Sequence, residues 1–389
     1  MEFAFTEEQQ MIRATAESFL AEVSTSAAIR AAMATEQGYA SALWQRICGE
    51  MYWQAIHIPE AYGGLGLGYV ELVAMLEQMG RYLLCAPFYS TVCLGTNALL
   101  VAGSEDQKAE YLPKICEGAT ATLGYTGKAA AQLGGTWGAD AVTATARREG
   151  DQLILNGTLR YVPDGATAEI LILAVRNEGS AGEEGISLVV VPADHPGITR
   201  TWLPTMDQTR KQAEIVLNNV SVPASSLLGE EGQAWPQLEK ILDLAIVALA
   251  AEQMGGSQRV LDLTVEYTSE RKQFNRSIAS FQAIKHMAAD MMTRVEVARS
   301  GVYYAACVAE DTLSGNPKNG DLAEAASITK SYCSDAYFKN AADALQMHGG
   351  VGFTWEYDIH LFLKRAKASE HFLGTGAYHR ERLAQQLLD

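Results

Sequence analysis

Arg271 carries a guanidinium, the side chain best matched to phosphate oxygens. Phe274 follows it in the run ERKQFNRSIASFQAIKH. Further along, Gln346, Gly349, Gly350 and Gly352 stand within the run LQMHGGVGFTWEYDI. Glycines remove the Cβ that would block a close approach, and successive N–H groups in such a loop form an anion nest. Plainer readings stand beside this one: Gly349-Gly350 as a helix C-cap, Arg271 as a surface charge. Glu252 is the other residue that asks for a role. It follows Ala-Leu-Ala-Ala in an apolar stretch, where a carboxylate needs a partner or a task. A bond to a neighbouring helix or subunit would satisfy it as well as catalysis would. The 6 cysteines, at 48, 85, 93, 116, 307 and 333, form no CxxC and no Cys/His cluster with zinc spacing. No metal site is expected, and free buried thiols fit a reducing compartment.

Three blocks of sequence must position these residues. The first reads as helices. Thr6-Glu-Glu-Gln9 is a capping box, followed by an apolar stripe at Met11, Ile12, Ala16, Phe19 and Leu20. A helix is predicted over about 40–56, a glycine loop over 63–68, and helices again from Tyr69, around 90–102 and over the run SEDQKAEYLPKICEG, ended by Gly118. Met51, Tyr52, Trp53 and the segment 84–94 are expected to border a pocket. From about 119 to 228 helical periodicity gives way to short β-rich runs: AVTATARREG, DQLILNGTLRYV, AEILILAV, GISLVVVPAD and AEIVLNNVSVP. Breaks are expected at Asn156-Gly157 and at 178–185. After Gly229 helices return: one of some 35 residues, a second beginning at Phe281, a third closed by Gly349-Gly350, and a last one after Gly376. The expected fold is α+β: an N-terminal helical domain (1–118), a middle antiparallel β-barrel or sandwich domain (119–228), and a C-terminal four-helix-bundle domain (229–389).

The chain has 389 residues, is 48% hydrophobic and carries a formal net charge of −16. So acidic a balance argues against nucleic-acid binding, which needs a basic footprint. The N-terminus lacks a basic start followed by an apolar run, and the stretch Leu242–Ala251 is too short to span a bilayer. A cytoplasmic protein without a membrane span is expected.

The layout and motifs together resemble the acyl-CoA dehydrogenase family over nearly the whole chain. The carriers are FTEEQQ at the start, PEAYGGLGLG, EDQKAEYLPKICEG, LILNGTLRYVPDGATAEILILAV, ERKQFNRSIASFQAIKH and LQMHGGVGFTWEYDI, in that order. The resemblance implies FAD as cofactor, an acyl-CoA substrate, electron-transfer flavoprotein as electron acceptor, and a tetramer whose flavin sites lie across subunit interfaces. It implies α,β-desaturation of the thioester, with a carboxylate removing the α-proton.

The resemblance also divides the site. On the ADP side, Arg271 would meet the pyrophosphate and Phe274 would pack near the adenine. Gln346, Gly349, Gly350 and Gly352 would let backbone approach the phosphates. On the flavin side, the family's Thr-Glu-Pro…Gly-Ser-Asp stretch reads YTGKAAAQLGGTWG here, with Thr126 as survivor. Its Trp-Ile-Thr-Asn run reads Tyr161-Val162-Pro163-Asp164. Tyr161 can still pack, but Pro163 has neither hydroxyl nor N–H. Thr375 follows the base position. That position, directly before Gly374-Thr375, holds Leu373, and the minority position on the long helix holds Ala245. Neither can accept a proton. Glu252 lies two helical turns beyond Ala245, about 10 Å along the axis, and is the weak candidate for a substitute base.

The resulting expectation is a subunit without its own catalytic glutamate that completes a partner's FAD site, as in bacterial heterotetramers acting on steroid-derived or ring-derived CoA thioesters. The alternatives are a homotetrameric dehydrogenase with its base relocated to Glu252, a flavin monooxygenase or oxidase on the same fold, and a structural subunit binding no flavin.

Overall fold

The computed structural model describes residues 5–127, 137–315, 318 and 320–388. Eleven helices run in chain order: α1 (Glu7–Val23), α2 (Ser26–Met33), α3 (Ser41–Arg46), α4 (Tyr69–Arg81), α5 (Asn97–Ala102), α6 (Glu105–Cys116), α7 (Trp235–Glu270), α8 (Gln282–Leu313), α9 (Leu322–His348), α10 (Ile359–His371) and α11 (Gly376–Leu388). The strands of the middle region are β1 (Ala121–Gly124), β2 (Thr145–Glu149), β3 (Gln152–Pro163), β4 (Ile170–Asn177), β5 (Ile186–Pro192), β6 (Ile198–Leu203), β7 (Gln212–Pro223) and β8 (Leu227–Leu228). A hairpin of β9 (Lys272–Gln273) and β10 (Arg276–Ser277) follows α7. By internal contacts the chain forms two compact units. One comprises Met1–Arg30, Gly68–Leu84 and Ile246–Asp389; the other comprises Ala31–Leu67 and Cys85–Ala245.

In the first unit the Thr6 hydroxyl accepts from Gln9 N at 3.2 Å, and the Gln9 side chain accepts from Thr6 N at 3.0 Å, closing the capping box. Ala16, Phe19 and Leu20 of the stripe are buried, while Met11 stays exposed. Helix α4 crosses α7 at backbone contact. A Cβ at Gly80 would overlap the carbonyl of Glu252, and one at Gly255 would overlap that of Glu77, so only glycine permits the approach. Glu77 is buried at this crossing and pairs with Arg13 at 2.8 Å and with Arg299. Helices α8, α10 and α11 pack on α9. Helix α10 is absent from the sequence reading, although Ile359, Phe362 and Ala366 of its buried face keep helical spacing beside the buried His360, Arg365 and Ser369.

In the second unit the sheet order is β6-β7-β3-β2-β4-β5-β8, with β1 beside β4. Pairings are antiparallel except β1–β4 and β2–β4, which are parallel. Leu155, Leu159, Leu171, Leu173, Val189, Ile215 and Leu217 centre its core. Asn156-Gly157 is not a turn. It is a bulge inside β3, with Gly157 at φ +129° where a Cβ would press on Ala144. The expected break at 178–185 does lie between β4 and β5. The helix predicted over 40–56 is α3 plus a π-helical turn, Ile47–Met51, stopped by Tyr52 in the left-handed region. Tyr52 lines an open cavity of about 890 Å³ with Trp44, Cys48, Lys114 and Glu117, whereas Trp53 and Phe88 are core. No described helix is long and apolar enough to cross a membrane.

Candidate cofactor site

Arg271 ends α7 with its amide donating to Tyr267 O at 2.9 Å, and its carbonyl closes the β9–β10 hairpin by accepting from Ile278 N at 2.8 Å. The hairpin tip is Phe274-Asn275, at φ +52° and +60°. A left-handed phenylalanine is disfavoured backbone, and here it buys no burial: the ring is 87% exposed. Phe281 meets it edge-on at 6.2 Å.

The glycine loop begins where α9 ends. Gly349, at φ +64°, caps the helix by donating to the carbonyls of Gln346 and Leu345. The C-cap reading is therefore right for Gly349, and it leaves the nest reading open. No atom lies within 4 Å of where a Cβ at Gly349 or Gly350 would stand, so the backbone there faces open space. Gly352 is buried, its absent Cβ giving room to Leu345 and His348. Gln346 is exposed. Hairpin and loop approach each other at a cluster of three rings, with Tyr357 edge-on to both Tyr267 and His348 at 5.9 Å. Tyr267 stacks on His348 with centroids 4.3 Å apart, and its hydroxyl donates to His348 O at 3.3 Å.

The flavin-side residues lie in the β unit, where Thr126 and Tyr161 are neighbours. The Thr126 hydroxyl donates to Arg160 O at 2.7 Å, and Arg160 N donates to Thr126 O at 2.8 Å. Tyr161 follows at φ +58° in the second irregularity of β3. Pro163 is buried, and its carbonyl accepts from the Thr122 hydroxyl at 2.6 Å. Asp164 accepts from the Ser90 hydroxyl at 2.6 Å. Most of the stretch between Thr126 and Trp137 lies outside the described residues.

The two residues expected at base positions, Ala245 and Leu373, are both buried and apolar. Ala245 is fully buried and its carbonyl accepts from the Tyr89 hydroxyl at 2.8 Å. Leu373 is 2% exposed and sits at φ +60°, followed by Gly374 at +100°. Thr375 caps α11, its hydroxyl accepting from Tyr378 N at 3.2 Å. Glu252 is buried against α10, with Arg365 4.0 Å away and itself buried. That gives the carboxylate the structural partner its apolar surroundings demand.

One group of this region escaped the sequence reading. Lys330 is fully buried, and its ammonium donates to Ser334 Oγ (2.8 Å), Ser369 O (3.0 Å), Gly374 O (3.0 Å) and Glu370 O (3.2 Å). Burial pushes its pKa down to about 7. Beside it, His379 Nε2–H donates to Leu373 O at 2.8 Å, and burial drives that imidazole down to about 3, so it is neutral. The available signal was position: Lys330 stands at helical spacing from the buried Ala326, Ser334 and Tyr337.

Helices, a β-sheet and further helices follow one another along the chain, which is the three-domain layout of an acyl-CoA dehydrogenase fold. The chain belongs to the acyl-CoA dehydrogenase family: the patterns of that family's N-terminal, middle and C-terminal domains match residues 6–119, 132–220 and 232–388. It is similar to the probable acyl-CoA dehydrogenase YngJ of Bacillus subtilis, with 31% identity covering 100% of both chains. Among solved structures it is similar to butyryl-CoA dehydrogenase from Megasphaera elsdenii (TM-score 0.90, 26% identity, 100% of both chains). It is also similar to a chain of the ChsE4-ChsE5 complex from Mycobacterium tuberculosis (TM-score 0.87, 25% identity, 100% of this chain and 99% of that one).

Tested against FAD, the two halves differ. The ADP-side groups fit: an exposed guanidinium, an exposed ring held out on a hairpin, and backbone facing open space at Gly349 and Gly350. On the flavin side the described residues offer fewer groups, with 128–136 outside them and Tyr161 still partly exposed. The Thr126 hydroxyl hydrogen is engaged by Arg160 O, Pro163 has no N–H, and Leu373 and Ala245 carry no carboxylate.

Proposed function

We propose that this chain is the base-less subunit of a heteromeric acyl-CoA dehydrogenase and lends its ADP-side residues to the FAD site of a related chain. The observation that carries this is the division just described. Residues that would meet the pyrophosphate and adenine are exposed and held in place, while those that would bond the flavin edge or take the α-proton are engaged, replaced or apolar. Loss of a general base alone typically costs about 10²–10⁴ in rate. FAD, when bound, supplies the hydride acceptor for α,β-dehydrogenation of an acyl-CoA thioester. In the assembly, Arg271 would pair with the anionic bridge of the partner-held cofactor, the 349–352 backbone would offer its N–H groups to the same phosphates, and Phe274 would pack near the adenine. The similarity to a chain of a two-component complex supports a related chain as partner. A steroid-derived acyl group and electron-transfer flavoprotein as acceptor belong to the same reading. The Arg365 partner of Glu252 speaks against a relocated base there.

Co-expression with a related chain, native mass and flavin stoichiometry test the proposal. Two FAD per four chains, with the lone chain colourless and inactive, is the expected result. A lone chain that is yellow, homotetrameric and bleached by an acyl-CoA overturns it.

A further inference from the structure

Helix α10 ends at His371, and its last carbonyls lack helical partners, as at any helix C-terminus. Such ends are commonly closed by a glycine in the left-handed region. Here the left-handed residue directly after Phe372 is Leu373, a branched apolar side chain that disfavours that backbone. Something must hold it there. From one side, α9 sends Lys330 to the carbonyls of Ser369 and Glu370 before the turn and of Gly374 after it. From the other, α11 sends His379 to the carbonyl of Leu373 itself, with Ser327 Oγ 3.3 Å from its other ring nitrogen.

A buried ammonium is expensive, and among the described residues Glu370 and Asp335 act on Lys330 only through space while bonded to Lys367 and Arg380. A methionine would fill much the same volume without the desolvation cost. Lys330 is compensated instead by the partial negative charge of the α10 C-terminus and by four acceptors. We propose that Lys330 is the positioning residue of the Phe372–Thr375 turn, acting across its two ends at once. Resting on the reading of this chain as a base-less dehydrogenase subunit, the turn is the one at which relatives present their base.

Hydrogen–deuterium exchange of the full chain tests this without any need for flavin or partner. In Lys330→Met the amides of 372–379 should exchange at least about tenfold faster while those of α9 and α8 keep their protection. In Lys330→Gln, which retains two N–H donors without the charge, the turn should fall between the two. That ordering is not expected of a residue that only fills space. Unchanged protection of the turn in folded Lys330→Met overturns the proposal. So does equal exchange in the Met and Gln variants. Loss of the whole fold in both would assign Lys330 to core stability rather than to the turn, and would overturn it as well. The stoichiometry experiment can fail while this one succeeds, and the reverse, so the two readings are separable.

Discussion

Tyr267 and His348 lie face to face, 4.3 Å apart and 17° from parallel, and they join the Arg271 hairpin to the end of α9. Neither ring is a group that would meet a phosphate. Their contact fixes the spacing between the groups that would. Tyr267→Ala should leave the chain folded but let hairpin and loop drift apart. A stacked pair is worth about 0.5–1.5 kcal/mol, so flavin retention by the co-purified assembly should weaken by up to about tenfold. Titration of the apo-assembly with FAD, followed by flavin fluorescence, reads this directly.

Arg271 should matter more. A charge-assisted bond to phosphate contributes about 1.5–3 kcal/mol, so Arg271→Ala should weaken FAD binding in the assembly by roughly 10- to 100-fold. Arg271→Lys keeps the charge but not the fork, and should recover only part of the loss. No change in flavin affinity for either variant would remove Arg271 from the site.

Leu373→Glu restores a carboxylate at the usual base position, yet acyl-CoA-dependent acceptor reduction by the lone chain should stay at background. The Pro163 position still has no N–H or hydroxyl to offer a flavin. Burying a carboxylate where Leu373 is 2% exposed should also lower the unfolding midpoint. Turnover by this single variant would show that the flavin half is intact after all.

Glu252 and Arg365 should behave as a structural pair. Glu252→Gln removes the negative charge facing a buried guanidinium and should cost up to about 3–5 kcal/mol in urea unfolding. The double change Glu252→Leu with Arg365→Leu should recover much of that cost. If Glu252→Gln instead leaves stability intact and abolishes turnover of the assembly, Glu252 is the base.

Acid should destabilise both units through two buried neutral histidines. Burial lowers His57 to about 4, against the opposing hydrogen bond that its Nε2–H donates to Asn97 Oδ1, and lowers His379 to about 3. Each has a folded pKa below its unfolded value, so the unfolded chain binds more protons between the two. The stability is present above about pH 6.5 and is lost as pH falls toward 4 and 3. Urea midpoints at pH 7.5 and 5 should differ, and His57→Gln and His379→Gln should each flatten the slope.

Residues with a strong local pattern were legible from the sequence. The capping box of Thr6 and Gln9, the span of α7 and the five β-rich runs follow from spacing and residue type, and so does the absence of a carboxylate at 373 and 245. What was not legible depended on distant parts of the chain. Asn156-Gly157 looks like a hairpin turn, but its glycine serves the close passage of Ala144 in a neighbouring segment. Helix α10 keeps Ile359, Phe362 and Ala366 at helical spacing, but the buried His360, Arg365 and Ser369 among them lower the contrast between its two faces. The acceptors of Lys330 come from residues 39 to 44 positions away and from Ser334, and no local window joins them.

The exposed rings have a consequence for the cell. Phe274, Phe353 and Trp355 are 87%, 70% and 63% exposed in the single chain. Chaperones and proteases read such surface as a sign of an unfinished protein. A copy made in excess of its partner would keep that sign on display, while an assembled copy would hide it. On the heteromer proposed above, abundance of this chain would then track abundance of the partner through turnover.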